Sequence, residues 1–269
     1  MSNIISIVCH QFRYEKSTAK FWLGIGMGMA ICANILALLL KYSQIRGEPI
    51  NVMEGFLYCL LDPQNVMLTT LGYMFVISDA PFINEWTLQI AVRVQRKKWA
   101  LGCIIYILLQ AALYYLVIFL FSVCILQKNG YIGLSWSVPT VQAAQNVNVT
   151  ISNFGISFPY WEFMKHNTVL KAVILTLWGN VLYSGMIGAI LYLGNLNNNY
   201  ALGTWMAMIV HLSAYIARRD WKWEWSLQIW ASPAENRGFV PFYIILLVLA
   251  VISLYKIKKV DYQNLDKNI

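Results

Sequence analysis

The chain is 269 residues long, 59% hydrophobic and only 12% charged, with a formal net charge of +8. That charged share is about half the usual one for a soluble domain, so more apolar surface is present than a soluble fold of this length hides, and the excess is expected to face lipid. The basic balance is what cytoplasmic anchors beside membrane spans produce; nucleic acid is not an expected partner, because no basic face on a soluble module is visible.

In chain order, residues 1–20 read as an interfacial helix. Asn3, Ser6, His10, Arg13, Ser17 and Lys20 recur at helical spacing, with Ile4, Ile5, Val8 and Phe12 on the other side. His10, Arg13, Glu15 and Lys16 interrupt the apolar residues and no small-residue cleavage site follows, so this is not a secretory signal. Phe21 to Leu40 is a first span without a charge, and Gly24, Gly26 and Gly28 allow another helix to approach it closely. Val52 to Leu61 reads as a short outer helix or re-entrant piece, and a second span begins near Pro63 and runs to Ser78. Trp99 to Leu126 is a third span, and residues 127–168 form a long outer loop rich in Asn, Ser and Gln. Val169 to Gly194 and Ala201 to Ile216 are spans four and five, joined by the turn NLNNNY. Trp221, Trp223, Trp225 and Trp230 mark residues 217–238 as an outer aromatic or re-entrant segment, and Phe239 to Tyr255 is the sixth span.

The fold class is therefore an all-α integral membrane protein: one transmembrane domain, 1–269, with six spans. Six spans put both termini on one side. Arg13, Lys16, Lys20, the Arg93–Lys98 cluster and the C-terminal lysines make that side cytoplasmic.

The chemistry legible in the sequence is sparse. There is no GxxxxGK[ST] loop, no HExxH and no GxSxG, and His10, His166 and His211 are far apart. The five cysteines, Cys9, Cys32, Cys59, Cys103 and Cys124, lie singly with no CxxC, so a zinc site or disulfide framework has no support and most serve as small apolar packing. No catalytic residue and no metal ligand is assigned. Asn34, Gln110, Asn180 and His211 lie inside spans, where polar groups face the bundle interior and either bond neighbouring helices or line a pathway. Glu54 and Asp62 are expected in the outer headgroup zone.

Residues 81–98 are the most informative stretch. Glu85, Gln89 and Arg93 recur at helical spacing opposite Trp86, Ile90 and Val94, and Arg96, Lys97 and Lys98 follow. Periodicity alone fits a membrane-flanking loop with its basic anchor as well as a surface offered to a soluble partner. The stretch SDAPF (78–82), the run RVQRKKW (93–99) and Ser232-Pro233 before the last span tip the balance. With the order of elements along the whole chain, they resemble the permease subunits of ABC transporters of the type-2 exporter class. The resemblance is to the small Gram-positive permeases that export peptides or confer immunity to them, of phenol-soluble-modulin or lantibiotic type. It implies that residues 81–98 hold a cytoplasmic coupling helix between spans two and three, whose Asn84, Glu85, Gln89 and Arg93 touch a separate ATPase subunit. It further implies a second permease copy in a 2+2 assembly, ATP and Mg on the partner rather than on this chain, and export of an amphipathic peptide across a bacterial plasma membrane. A membrane-embedded peptidase or lipid-modifying enzyme, and a non-transporting sensor or assembly subunit, are the alternatives.

Overall fold

The computed structural model describes residues 2–81, 95–196, 200–221, 223–235 and 237–257. Among them the chain is helical apart from one two-stranded pair. Helix α1 is Ser2–Glu15, α2 Ala19–Arg46, α3 Glu54–Leu61, α4 Pro63–Val76 and α5 Arg96–Leu126. Three short helices follow, α6 (Val138–Gln145), α7 (Val147–Phe154) and α8 (Trp161–His166). The remainder are α9 (Val169–Asn195), α10 (Tyr200–Arg219), α11 (Leu227–Ala231) and α12 (Val240–Lys256), with a 3-10 turn at Pro233–Glu235.

Local chemistry fixes the boundaries. Thr18, Asp62 and Thr168 cap α2, α4 and α9 by accepting backbone N–H bonds at helix starts. Pro63 follows Asp62 at the first turn of α4, where its missing N–H costs nothing. Helix α2 stops at Gly47, whose φ of 69° is the left-handed conformation that glycine tolerates.

Three helices, α2, α5 and α9, are long and apolar enough to cross a membrane. The other three expected spans are helical as α4, α10 and α12, but α4 has 14 residues and α12 has 17, and α10 is less apolar, with Thr204, His211, Ser213 and two terminal arginines. Helix α9 is the axis. Every residue from Gly179 to Asn195 except Ile190 is buried, and α3, α4, α5, α10, α11 and α12 pack against it. Glycines permit the closest approaches elsewhere. A Cβ at Gly24 would strike the carbonyl oxygen of Gly72 on α4, and one at Gly28 would stand 2.5 Å from the Tyr114 hydroxyl. Gly26, expected to serve the same purpose, has nothing within 4 Å of its Cβ position.

The amphipathic assignment of α1 is shifted by the packing. Its buried side carries Ile7, Val8, Gln11 and Glu15 and lies against α5, with Ile7 on Gly102 and Phe12 edge-on to Tyr106, whereas Ile5 is exposed. The loop at 127–168 is also more structured than its polar composition suggested. Strand β1 (Ile50–Asn51) pairs in parallel with β2 (Gly130–Tyr131), and α6 to α8 fold over them as a cap. Apolar side chains scattered through the loop, Ile156, Phe158, Phe163 and Met164, supply the buried face that orders it.

Candidate functional site

The bundle has two ends. At one, termed inner after the orientation expected from the sequence, lie the starts of α2, α5 and α10 and the finish of α4 and α9; the opposite end is termed outer. The Lys20 ammonium is 2.7 Å from the Asp79 carboxylate, tying the chain beyond α4 to the start of α2. Asn195, the last residue of α9, donates from Nδ2 to the carbonyls of Ser78 (3.0 Å) and Ala80 (2.6 Å). Two helices therefore hold Ser78–Ala80, the root of the segment that leads into residues 82–94. That segment lies outside the described residues, and with it Asn84, Glu85, Gln89 and Arg93. The chain returns at Gln95, and α5 begins at Arg96 beside α1.

Beneath this root the Glu15 carboxyl is fully buried between α1 and α5. Burial pushes its pKa up to about 8, against the opposing pull of the Tyr106 hydroxyl and the Lys16 charge.

The middle of the bundle is a ladder of buried polar groups. Thr70, Tyr115 and Ser184 link α4, α5 and α9 at 3.3 and 2.7 Å. The Tyr114 hydroxyl donates to the Thr69 carbonyl at 2.8 Å, and the Tyr73 hydroxyl to that of Ile107 at 2.8 Å. His211 of α10 sits between the Tyr183 hydroxyl (2.8 Å from Nδ1) and the Met67 carbonyl (2.9 Å from Nε2). A carbonyl only accepts, so Nε2 bears a proton and donates to Met67. Gln110 is buried on α5, and Asn180 is buried on α9 with its amide donating to the Thr176 carbonyl at 2.8 Å. The structure thus puts Gln110, Asn180 and His211 inside the bundle, as expected, but Asn34 is on the exposed side of α2 near Gly26 and Ala30. The four do not form one site: His211 bonds to α9 and α4, while Asn180 bonds within its own helix.

The outer end is closed by α3 and the cap. All eight residues of α3 are buried, and the helix packs beneath the cap among α2, α5 and α9. Its first residue, Glu54, was expected at the headgroup level and instead has no solvent exposure. The carboxylate accepts from the Ser137 N–H at 2.7 Å, from the Ser137 and Thr140 hydroxyls, and from the Asn51 N–H. Ser137 is the N-cap of α6, so the anion also faces the positive end of that helix. Burial pushes the Glu54 pKa up to about 7, and these donors hold it from rising further.

Where α3 turns into α4, the Leu61 carbonyl accepts from the buried Arg218 guanidinium (3.1 Å) and from the Tyr160 hydroxyl (2.8 Å). Beside this joint an open cleft of about 770 Å³ faces outward, lined among others by Asp62, Tyr160, Trp161, Arg218, Glu224 and Arg237. Glu224 and Arg237 pair across it at 3.3 Å. A mouth with aromatic faces and both signs of charge suits an amphipathic ligand better than a small ion. Among the described residues no three His, Cys, Asp or Glu side chains come together as metal ligands would.

Glu54 and Glu15 are the buried carboxyls that sequence reading missed. Nothing in the linear pattern joins Glu54 to Ser137 and Thr140, more than eighty positions away. For Glu15 a signal existed, because Ile7, Gln11 and Glu15 recur every fourth residue on one face of α1.

Comparison with known protein families, with curated proteins and with solved structures gives no match. What the fold defines is the class: an all-helical protein with helices built to cross a membrane.

Proposed function

We propose that this chain is the permease subunit of an ATP-driven exporter, crossing the bacterial plasma membrane six times through α2, α4, α5, α9, α10 and α12, with both termini cytoplasmic. The observation that carries the reading is the root at the inner end, where Lys20 and Asn195 hold Ser78–Ala80 before the chain runs out to the amphipathic segment. A load applied to residues 82–94 passes directly to the first span, to the axial helix α9 and to the start of α5. A docking element for a separate motor needs that connection, and a passive membrane-flanking loop does not. The sequence holds no phosphate-binding loop, so ATP and magnesium belong to a partner ATPase, which Asn84, Glu85, Gln89 and Arg93 contact.

Helix α4 rises about 21 Å at ~1.5 Å per residue, less than a ~30 Å hydrocarbon core, and the buried α3 beneath the cap makes up the difference on the outer side. The interior of one bundle is filled by α3, α9 and buried tyrosines, which favours a path formed with a second copy. The outer cleft fits an amphipathic peptide as cargo.

The test is the double substitution Glu85→Ala and Arg93→Ala in membranes that also hold the candidate ATPase. Export should fall roughly tenfold or more while the protein still inserts and the ATPase still turns over. Unchanged export would remove the coupling role, and an ATPase that never co-purifies with the chain would remove the exporter reading altogether.

A further inference from the structure

The cysteines look isolated along the sequence, but the fold brings two of them together. Cys32 on α2 and Cys59 on α3 are both fully buried, with their sulfur atoms 2.8 Å apart. A disulfide needs about 2.05 Å, so the remaining gap is within the play of two side chains. The other three thiols stand apart: Cys9 and Cys124 are exposed, and Cys103 is buried on α5 beside Tyr192.

The pairing is built by the helices rather than by a chance rotamer. Helix α3 is pinned at its start by the Glu54 cradle and at its end by Arg218 and Tyr160 on the Leu61 carbonyl. One turn before Cys59, a Cβ at Gly55 would stand 2.7 Å from Leu36 of α2, so the two helices are also in close contact beside the thiol pair. Forming the bond asks the two sulfur atoms to close by about 0.8 Å. Helix α3 cannot slide along α2 once the bond exists.

We propose that Cys32 and Cys59 are a disulfide site, which staples the buried helix α3 to α2 when the protein meets a disulfide or an uncharged diazene oxidant. With a disulfide, one cysteine thiolate attacks a sulfur of the oxidant and releases its first thiol. The second cysteine then attacks the mixed disulfide and releases the other. The Cys32–Cys59 bond forms, the oxidant's S–S bond breaks, and two electrons and two protons end on the two released thiols. A thiol–disulfide oxidoreductase reaches the pair during insertion, before α3 packs; a small uncharged oxidant reaches it through the bilayer afterwards. The site does not depend on the transport reading.

The experiment uses the full chain in detergent micelles with Cys9→Ser and Cys124→Ser, which leaves three thiols. Diamide is added to the folded protein; its N=N bond takes up the two electrons and two protons. The sample is quenched, unfolded, alkylated, weighed intact and mapped by peptides. The expected result is a drop from three alkylated thiols to one, Cys103, with Cys32 and Cys59 peptides cross-linked, a higher melting midpoint and full reversal by dithiothreitol. Adding Cys59→Ser should give two alkylated thiols with or without diamide. Three alkylated thiols after treatment, or a cross-link that includes Cys103, would overturn the site. The unaltered chain provides a second arm, in which mapping must return the same cross-linked pair.

Discussion

The outer and inner ends of this bundle are fastened in opposite ways. Outside, Glu54 is held by two N–H groups and two hydroxyls, Arg218 and Tyr160 close on one carbonyl, and all of these groups are buried or nearly so. Inside, among the described residues, Ser78–Ala80 is tied by one exposed ion pair and the two bonds of Asn195, with Ala80 buried, and the buried carboxyl nearby, Glu15, has the Tyr106 hydroxyl as its support. Buried, fully bonded groups cost the most to break, whereas exposed ion pairs are worth little and yield readily. Under the proposed reading, the outer end is the rigid reference and motion starts at the inner end, where the motor pushes.

The strongest way to break this comparison is to remove the outer latch. Glu54→Ala leaves the Ser137 and Asn51 N–H groups and two hydroxyls without their acceptor in a buried site. The expected cost is about 3 kcal/mol, or roughly 6–12 °C in melting midpoint, read by thermal unfolding in detergent. Limited proteolysis should then cut first within residues 130–168, since the cap loses its tie to α3. A variant as stable as the parent, with an uncut cap, would show that the outer end is not held by Glu54.

How much of this was legible beforehand follows from the range of the interactions involved. Helices α2, α5 and α9 are runs of apolar residues long enough to be read directly, and the Asp62-Pro63 start of α4 carries its own cap chemistry. The cap was not legible, because its order comes from a few apolar residues, such as Phe158 and Met164, set far apart in a polar stretch. The Glu54 cradle and the Cys32–Cys59 contact join positions that only the packing of α3 brings together. Asn34 misled for a related reason: a polar residue in a span suggests an inward face, yet the side that α2 turns to the core is set by Gly24 and Gly28 against α4 and α5.

A second effect separates the two ends by pH. Glu15 has a folded-state pKa raised from 4.5 to about 8, so the folded protein binds its proton more tightly than the unfolded chain does. Its contribution is therefore full below about pH 4.5 and is lost as the pH climbs through about 8. Glu54 acts with the same sign but is spent by about pH 7. Stability, and with it the melting midpoint, should fall from pH 5 to pH 8.5, most steeply below about pH 7 where both carboxyls contribute. Glu15→Gln should flatten the part above pH 7 and roughly halve the slope between pH 5 and pH 7. An unchanged slope above pH 7 in that variant would mean that Glu15 is not the group being titrated.

The smallest expected change in stability tests the inner end. Lys20 and Asp79 are about half exposed, and breaking their pair by Asp79→Asn should cost less than about 1 kcal/mol and leave the melting midpoint nearly unchanged. Under the coupling reading its effect on export should be larger than its effect on stability, because the root of residues 82–94 would then hang on Asn195 alone among the ties described. Asn195→Ala added to it should reduce export more than the two single changes combined would predict, since both act on Ser78–Ala80. Strict additivity in export, with stability unaffected, would place these two contacts outside the path by which the motor acts and leave the inner end merely loose.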